Sequence, residues 1–250
     1  GSDGDSSTTD ESSFSDRDQW VGFASKDLGV VRMGTISSSY KSSGARLDPL
    51  YRTVFEQRGF LGLQSALHDG RGENGGRSTN TIRFDSVEFE GMRLIVNYSL
   101  AERKGNTAGL GLHYDQAGVK FNLDYLKSDS LDATAYKIGF GQSFKSGFGI
   151  AAQYEVADEA LFDSVIPDVL QTAQGVIDAV YKIDASYVTG NSALIVGYGS
   201  QANYSDAYYF AFDHKLSEQS GIYLGYGAKG YDQAGVNSDS IIAMGIRHKF

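Results

Sequence analysis

The chain reads as a succession of short runs in which apolar and polar residues alternate. In "VKFNLDYL", Val119, Phe121, Leu123 and Tyr125 share one parity, and Lys120, Asn122 and Asp124 share the other. In "GMRLIVNYSL", Met92, Leu94, Val96, Tyr98 and Leu100 oppose Arg93, Asn97 and Ser99. The same period sets Tyr208, Phe210 and Phe212 against Tyr209 and Asp213, and Ile222, Leu224 and Tyr226 against glycines and Lys229. It also sets Tyr181, Ile183 and Tyr187 against Lys182, Asp184 and Ser186. The closing run "SDSIIAMGIRHKF" keeps it to the last residue, with Ile242, Met244, Ile246, His248 and Phe250 on one parity. A two-residue period belongs to strands with two different faces, not to helices. It predicts about thirteen strands, over 17–24, 28–36, 80–86, 91–100, 106–114, 119–127, 133–143, 148–156, 177–188, 192–203, 206–215, 221–230 and 239–250. A free C-terminus normally frays, so a strand that runs to Phe250 has to be held by neighbours.

Taken singly, each run also suits a soluble sandwich or barrel whose apolar faces form an ordinary core. The set points elsewhere. Many apolar faces carry Tyr or Phe near the strand ends, as expected of outward aromatics that form girdles at two membrane interfaces. The connections "DQAG", "FKSG", "TGN" and "SEQSG" are tight, while the intervening ones are longer or polar, up to the stretch 157–175. Short turns on one side and longer loops on the other are the pattern of an outer-membrane barrel. A charge in mid-strand facing lipid costs about 2–4 kcal/mol at the midplane, so charged positions face the lumen. Parity thereby selects Arg32, Arg83, Asp85, Arg93, Lys120, Asp124, Lys137, Glu155, Lys182, Asp184, Asp213 and Lys229 as wall residues. For any one of them the competing role is an ion pair without influence on selectivity.

Composition agrees. The chain has 31 Gly, 16 Tyr and 14 Phe against 2 Pro and 1 Trp, which suits many strands joined by tight turns. It has no cysteine, which removes disulfides, thiolate nucleophiles and Cys-based zinc sites. A net charge of -9 with no concentrated basic face excludes a nucleic-acid binder. No run approaches the roughly 18 or more apolar residues of a membrane helix, but a strand-built membrane protein shows only one apolar face per strand. The opening "GSDGDSSTTDESSFSD" has neither a basic n-region nor an apolar core, so no signal peptide is read in it.

Between about 36 and 79 the alternation gives way to "SSSYKSSGARLDPLYRTVFEQRGFLGLQSALHDGRGENGGRS". An insertion of this length is usually functional or disordered. It carries Arg46, Asp48, Arg52, Glu56 and Arg58.

"RDQWVGFASKDLGVVRMGT", "TIRFDSVEFEGMRLIVNYSL" and the terminal "MGIRHKF" together resemble the trimeric general-diffusion porins of Gram-negative bacteria, in order from about residue 17 to residue 250. The resemblance implies an all-β fold, an antiparallel transmembrane β-barrel over 17–250, in a family of sixteen-stranded barrels. About three family strands are then lacking here, and 1–16 is expected to be the remnant of an extracellular loop. The resemblance makes the insertion a constriction loop folded into the lumen, with Arg46, Asp48, Arg52, Glu56 and Arg58 facing wall charges. Arg83 matches a position where the family carries an eyelet arginine, and Arg32 lies on a strand that supplies another. A further family arginine is Thr35 here, which weakens the basic side of the eyelet. Opposite charges across such a constriction would create a transverse field. Phe250 resembles the signal read by the outer-membrane assembly machinery; an interface anchor is its alternative role. Closure has its own reason, since an open edge in hydrocarbon leaves backbone groups unsatisfied at several kcal/mol each.

Enzyme readings find little support. The four histidines are His68, His113, His214 and His248; three fall near predicted periplasmic strand ends, and no HExxH, GxSxG or P-loop pattern occurs. "DGDSSTTDESS" offers carboxylates to calcium, yet carboxylates in an exposed loop are more often simply solvated. The expectation is an outer-membrane porin for passive diffusion of ions and small hydrophilic solutes, without cofactor or metal. Its expected partners are the lipid bilayer, lipopolysaccharide and two further copies in a homotrimer. The alternatives are a substrate-selective channel on the same scaffold and, after it, a barrel enzyme.

Overall fold

The computed structural model describes residues 18–57, 60, 77–100, 106–163, 177, 179–232 and 236–248. The predicted loop remnant 1–16 and Phe250 lie outside the described residues. The strands are β1 (Gln19–Ser25), β2 (Gly29–Ser37), β3 (Arg77–Ser86), β4 (Met92–Ser99), β5 (Thr107–Gln116), β6 (Val119–Ser128) and β7 (Ala133–Ser143). They continue as β8 (Phe148–Ala157), β9 (Ala179–Thr189), β10 (Ser192–Gln201), β11 (Ser205–Lys215), β12 (Ser220–Tyr231) and β13 (Asp239–His248). All lie in one 13-stranded sheet in sequence order, each antiparallel to the next, with β1 and β13 as its edges. Among the described residues two helices interrupt the series: α1 (Ser39–Arg46), inside the insertion, and the short α2 (Glu159–Asp163).

Local chemistry sets the hairpins. Glu90 and Gly91 have φ of 49° and 81°, and Ala117 and Gly118 have 54° and 81°. Two consecutive residues at positive φ are what a two-residue turn needs to match the right-handed twist of its strands. At the opposite end, connections 129–132 and 202–204 are no longer than the tight-end connections 144–147 and 216–219, so the predicted difference in loop length is carried by the other far-end connections.

The two faces of the sheet invert the arrangement of a soluble protein. Leu123 and Phe210 are 48% and 51% exposed, whereas Lys137 and Glu155 are 1% and 0% exposed. Register explains why the buried charges meet: Asp124 lies opposite Lys137, which lies opposite Glu155 on the next strand. On the outward face Tyr125, Tyr136, Tyr154, Tyr181, Tyr198 and Tyr208 run toward one end of the strands, and Phe121, Phe140, Phe148 and Tyr187 toward the other. Two aromatic bands flanking an aliphatic zone match the two interfaces of a bilayer.

The polar face is covered by segment 38–57. The sequence reading placed no helix there, because "SYKSSGAR" has no apolar stripe. Its N-cap is Ser38, whose hydroxyl accepts the Lys41 N–H at 3.1 Å. The rest of its stability comes from the wall. Tyr40 packs with Leu126, Ala135, Leu161, Phe162 and Val180 at one end of the segment. Leu50 and Phe55 pack with Ile195, Tyr209, Ala211 and Tyr223 at the other.

Candidate functional site

The site is built where segment 38–57 meets the inner face. At its entry, Arg83 donates to the Ser37 carbonyl at 2.6 Å and to Ser42 Oγ at 3.3 Å. Asp85 sits between two guanidinium groups, 2.9 Å from Arg32 and 2.7 Å from Arg83. The side chain of Arg32 is part-exposed, and its guanidinium lies 5.0 Å from the centre of the Trp20 ring. One carboxylate with two arginines leaves a net positive charge, held rigid by bidentate geometry.

Further along, three wall lysines donate to backbone carbonyls of the segment: Lys137 to Tyr40, Lys120 to Arg46 at 3.3 Å, and Lys182 to Leu47 at 2.9 Å. Lys120 and Lys182, at the Arg46 and Leu47 carbonyls, satisfy acceptors that the C-terminal end of α1 leaves without intrahelical donors and complement its dipole, whereas Lys137 reaches a carbonyl in the first turn. Buried acids complete the contact. Glu155 accepts the Tyr40 hydroxyl at 3.1 Å. Asp124 pairs with His113 at 2.9 Å and accepts from Asn122 at 3.0 Å. Asp184 binds Lys182 at 2.7 Å, Gln57 at 2.7 Å, and the Tyr209 hydroxyl.

Asp48 closes the segment on itself, taking the Leu50 N–H at 2.9 Å and the Gln57 N–H at 3.0 Å. Burial pushes its carboxyl up to about 7, against the opposing pull of Lys182. Arg52, at φ 66°, donates its N–H to Glu56 at 3.0 Å and stacks over Tyr51.

The wall positions selected by parity and the charges of the insertion therefore have distinct surroundings. Arg32, Arg83, Lys120, Asp124, Lys137, Lys182, Asp48, Arg52 and Glu56 all lie at or beside the segment. Asp124, Lys137 and Lys182 are sealed beneath it, at 2% exposure or less. Arg93 is apart from them, near the Glu90–Gly91 turn, in an exposed pair with Glu88 at 3.3 Å. Arg58 lies outside the described residues. Opposite charges sit side by side, as in Arg83 with Asp85 and Lys182 with Asp184, and Arg247 pairs with Asp213 in the same way.

Glycines on the inward parity make room for the segment; the sequence reading set those of β12 opposite its apolar face but missed this role. A Cβ on Gly139 would lie 2.5 Å from Leu47 Cδ1, one on Gly111 2.9 Å from Ser39 Cβ, and one on Gly225 2.6 Å from Phe55 Cε2. The signal was there in "GLGLHYD", "KIGFGQ" and "LGYGAK", where inward positions that elsewhere carry polar side chains are glycine. Among the described residues there is no group of His, Asp and Glu arranged to hold a metal ion.

A family model described as Gram-negative porin matches residues 2–234. No curated protein matches the sequence. Among solved structures, the anion-selective porin from Comamonas acidovorans is 20% identical with a TM-score of 0.67, over 92% of this chain and 77% of that one. Salmonella typhi OmpF, in complex with daunomycin, is 12% identical with a TM-score of 0.69, again over 92% and 77%. Outer-membrane expressed OmpT of Vibrio cholerae is 13% identical with a TM-score of 0.60, over 92% and 79%. Sheet order, an outward lipid-compatible face and an inward charged one agree with the match over most of the sequence, and the chain belongs to the Gram-negative porin family: an outer-membrane protein that forms a channel for passive diffusion.

Proposed function

We propose that the sheet closes into a water-filled barrel whose bore is narrowed by segment 38–57, and that ions and small hydrophilic solutes pass the gap between that segment and the wall at Arg32 and Arg83. The observation that carries this reading is the attachment of the segment to the charged face of the sheet, from Ser37 to Gln57, on both flanks. In this reading Arg32, Arg83, Lys120, Arg52 and Glu56 contact permeating solutes. Asp124, Lys137 and Lys182 act one step back, by fixing the segment that sets the bore. Arg93 lies at the rim.

Closure needs partners for the outer edges of β1 and β13. Among the described residues neither edge is covered by the other, and hydrocarbon supplies no hydrogen bonds in exchange. Roughly three additional strands between them would restore the sixteen expected of the family. Three such barrels would assemble as a trimer, in contact with lipopolysaccharide, with residues 1–16 on the extracellular side and Phe250 as the assembly signal. Deleting half of segment 38–57 tests the central point. Single-channel conductance is expected to rise while the protein keeps its strand content; unchanged conductance would place the segment outside the conduction path.

A further inference from the structure

Between the end of α1 and the inner faces of β6 to β9 lies a recess of about 250 Å³, lined by Arg46, Lys120, Gln142, Ser143 and Ser186. It exists because its floor is glycine. A Cβ on Gly141 would come within 2.8 Å of Leu47 Cδ2, and one on Gly149 within 2.7 Å of Ser186 Oγ. Gly118 belongs to the β5–β6 turn and Gly149 follows the β7–β8 turn, so the recess faces the tight-turn end. It is separated around the sheet from Arg32 and Arg83, which stand on β2 and β3.

The donors in this recess outnumber the acceptors that engage them. An ammonium has three N–H groups and a guanidinium five. Lys120 makes one hydrogen bond, the 3.3 Å contact to the Arg46 carbonyl, and has no carboxylate within ion-pair distance among the described residues. The residue opposite it, Asp115, turns instead to Arg46 at 3.0 Å. Arg46 bonds through a single nitrogen, to Asp115 and to the Tyr114 carbonyl.

Two acids also border the recess, and both are engaged elsewhere. Asp48 is occupied by the Leu50 and Gln57 N–H groups, and Asp184 by Lys182, Gln57 and Tyr209. A partly buried pair of cations with unspent donors is matched by an acceptor-only group with several lone pairs.

We propose that this recess is a binding subsite for a small oxyanion, a carboxylate or a phosphate, held between Lys120 and Arg46 with Ser143, Ser186 and Gln142 as neutral partners. The proposal rests on the channel reading above and deepens it: solutes bearing such a group pause on the tight-turn side of segment 38–57, and their flux saturates.

The test is conductance in planar bilayers in KCl, with succinate in one series and inorganic phosphate in another, added to each side in turn. Wild-type current is expected to fall in a saturable way with at least one of the two; block by both assigns the shared oxyanion chemistry, and block by one assigns that ligand class. In Lys120→Gln the half-blocking concentration rises roughly fivefold or more, as for loss of a charged hydrogen-bond partner, and Lys120→Arg keeps the block. Ser186→Leu, which fills the recess without altering a charge, weakens the block independently. A strictly linear dependence on both anions, or equal block in wild type and Lys120→Gln, overturns the subsite while leaving the channel intact. Wild-type protein that conducts no KCl would overturn the channel reading and the subsite with it.

Discussion

Lys182 on β9 gives its ammonium to the carbonyl oxygen of Leu47 at 2.9 Å, joining the wall to a residue 135 positions earlier in the chain. The same ammonium lies 2.7 Å from Asp184, so one buried cation satisfies a wall carboxylate and a carbonyl of the segment together. Lys182→Met would leave Asp184 buried without its cation, and breaking such a pair from one side typically costs about 3–5 kcal/mol. The expected outcome is a lower thermal midpoint and a mobile spin label at Val54, a part-exposed residue of the segment. A label as immobile as in wild type would mean that Lys182 does not anchor the segment.

Asp48 gives the attachment a pH dependence. Its carboxyl is raised by burial from the ordinary 3.8 to about 7, so the docked segment holds a proton that the undocked one releases at lower pH. By linkage, docking is favoured below about pH 4 and that contribution is lost as pH rises through about 7. The groups facing Asp48 are Lys182 and Asp184 from β9, Tyr209 from β11 and the backbone N–H groups of Leu50 and Gln57. A label at Val54 should therefore become more mobile between pH 5 and pH 8, and Asp48→Asn should flatten the response. A response of the opposite sign would contradict the assignment.

The glycine floor predicts steric sensitivity on one face only. Gly139→Val places a branched side chain against Leu47, and overpacking of this kind costs about 1–3 kcal/mol. It should loosen the segment and raise current noise in bilayers. Phe140→Val, one residue away on the outward face, should leave the segment docked. Equal effects from the two would show that the glycines are not spacers.

The two faces should report different solvents. Spin labels at Leu123 and Phe210 are expected to be relaxed by oxygen dissolved in lipid, and a label at Lys120, a part-buried inward position, by a water-soluble nickel complex. Labels on both parities responding alike would contradict the orientation of the sheet in the bilayer.

Alternation alone located all thirteen strands to within a few residues and separated their lipid face from their charged face. That legibility is local in origin: successive side chains point to opposite sides, so each run carries its own record of two solvents. The tight connection "DQAG", whose Ala117 and Gly118 make the turn, was legible for the same reason. The path of the insertion was not. "SYKSSGAR" has no stripe to announce a helix, and α1 is held by Asn97, Lys137, Gln153 and Lys182, which lie from 58 to 135 residues away. Parity also assigned Asp124, Lys137 and Lys182 to the inner face without revealing that the segment seals them from solvent. Which inward charges meet a solute depends on what lies over them, and only long-range contacts decide that, because covering a charge requires chain from elsewhere to come within hydrogen-bond distance.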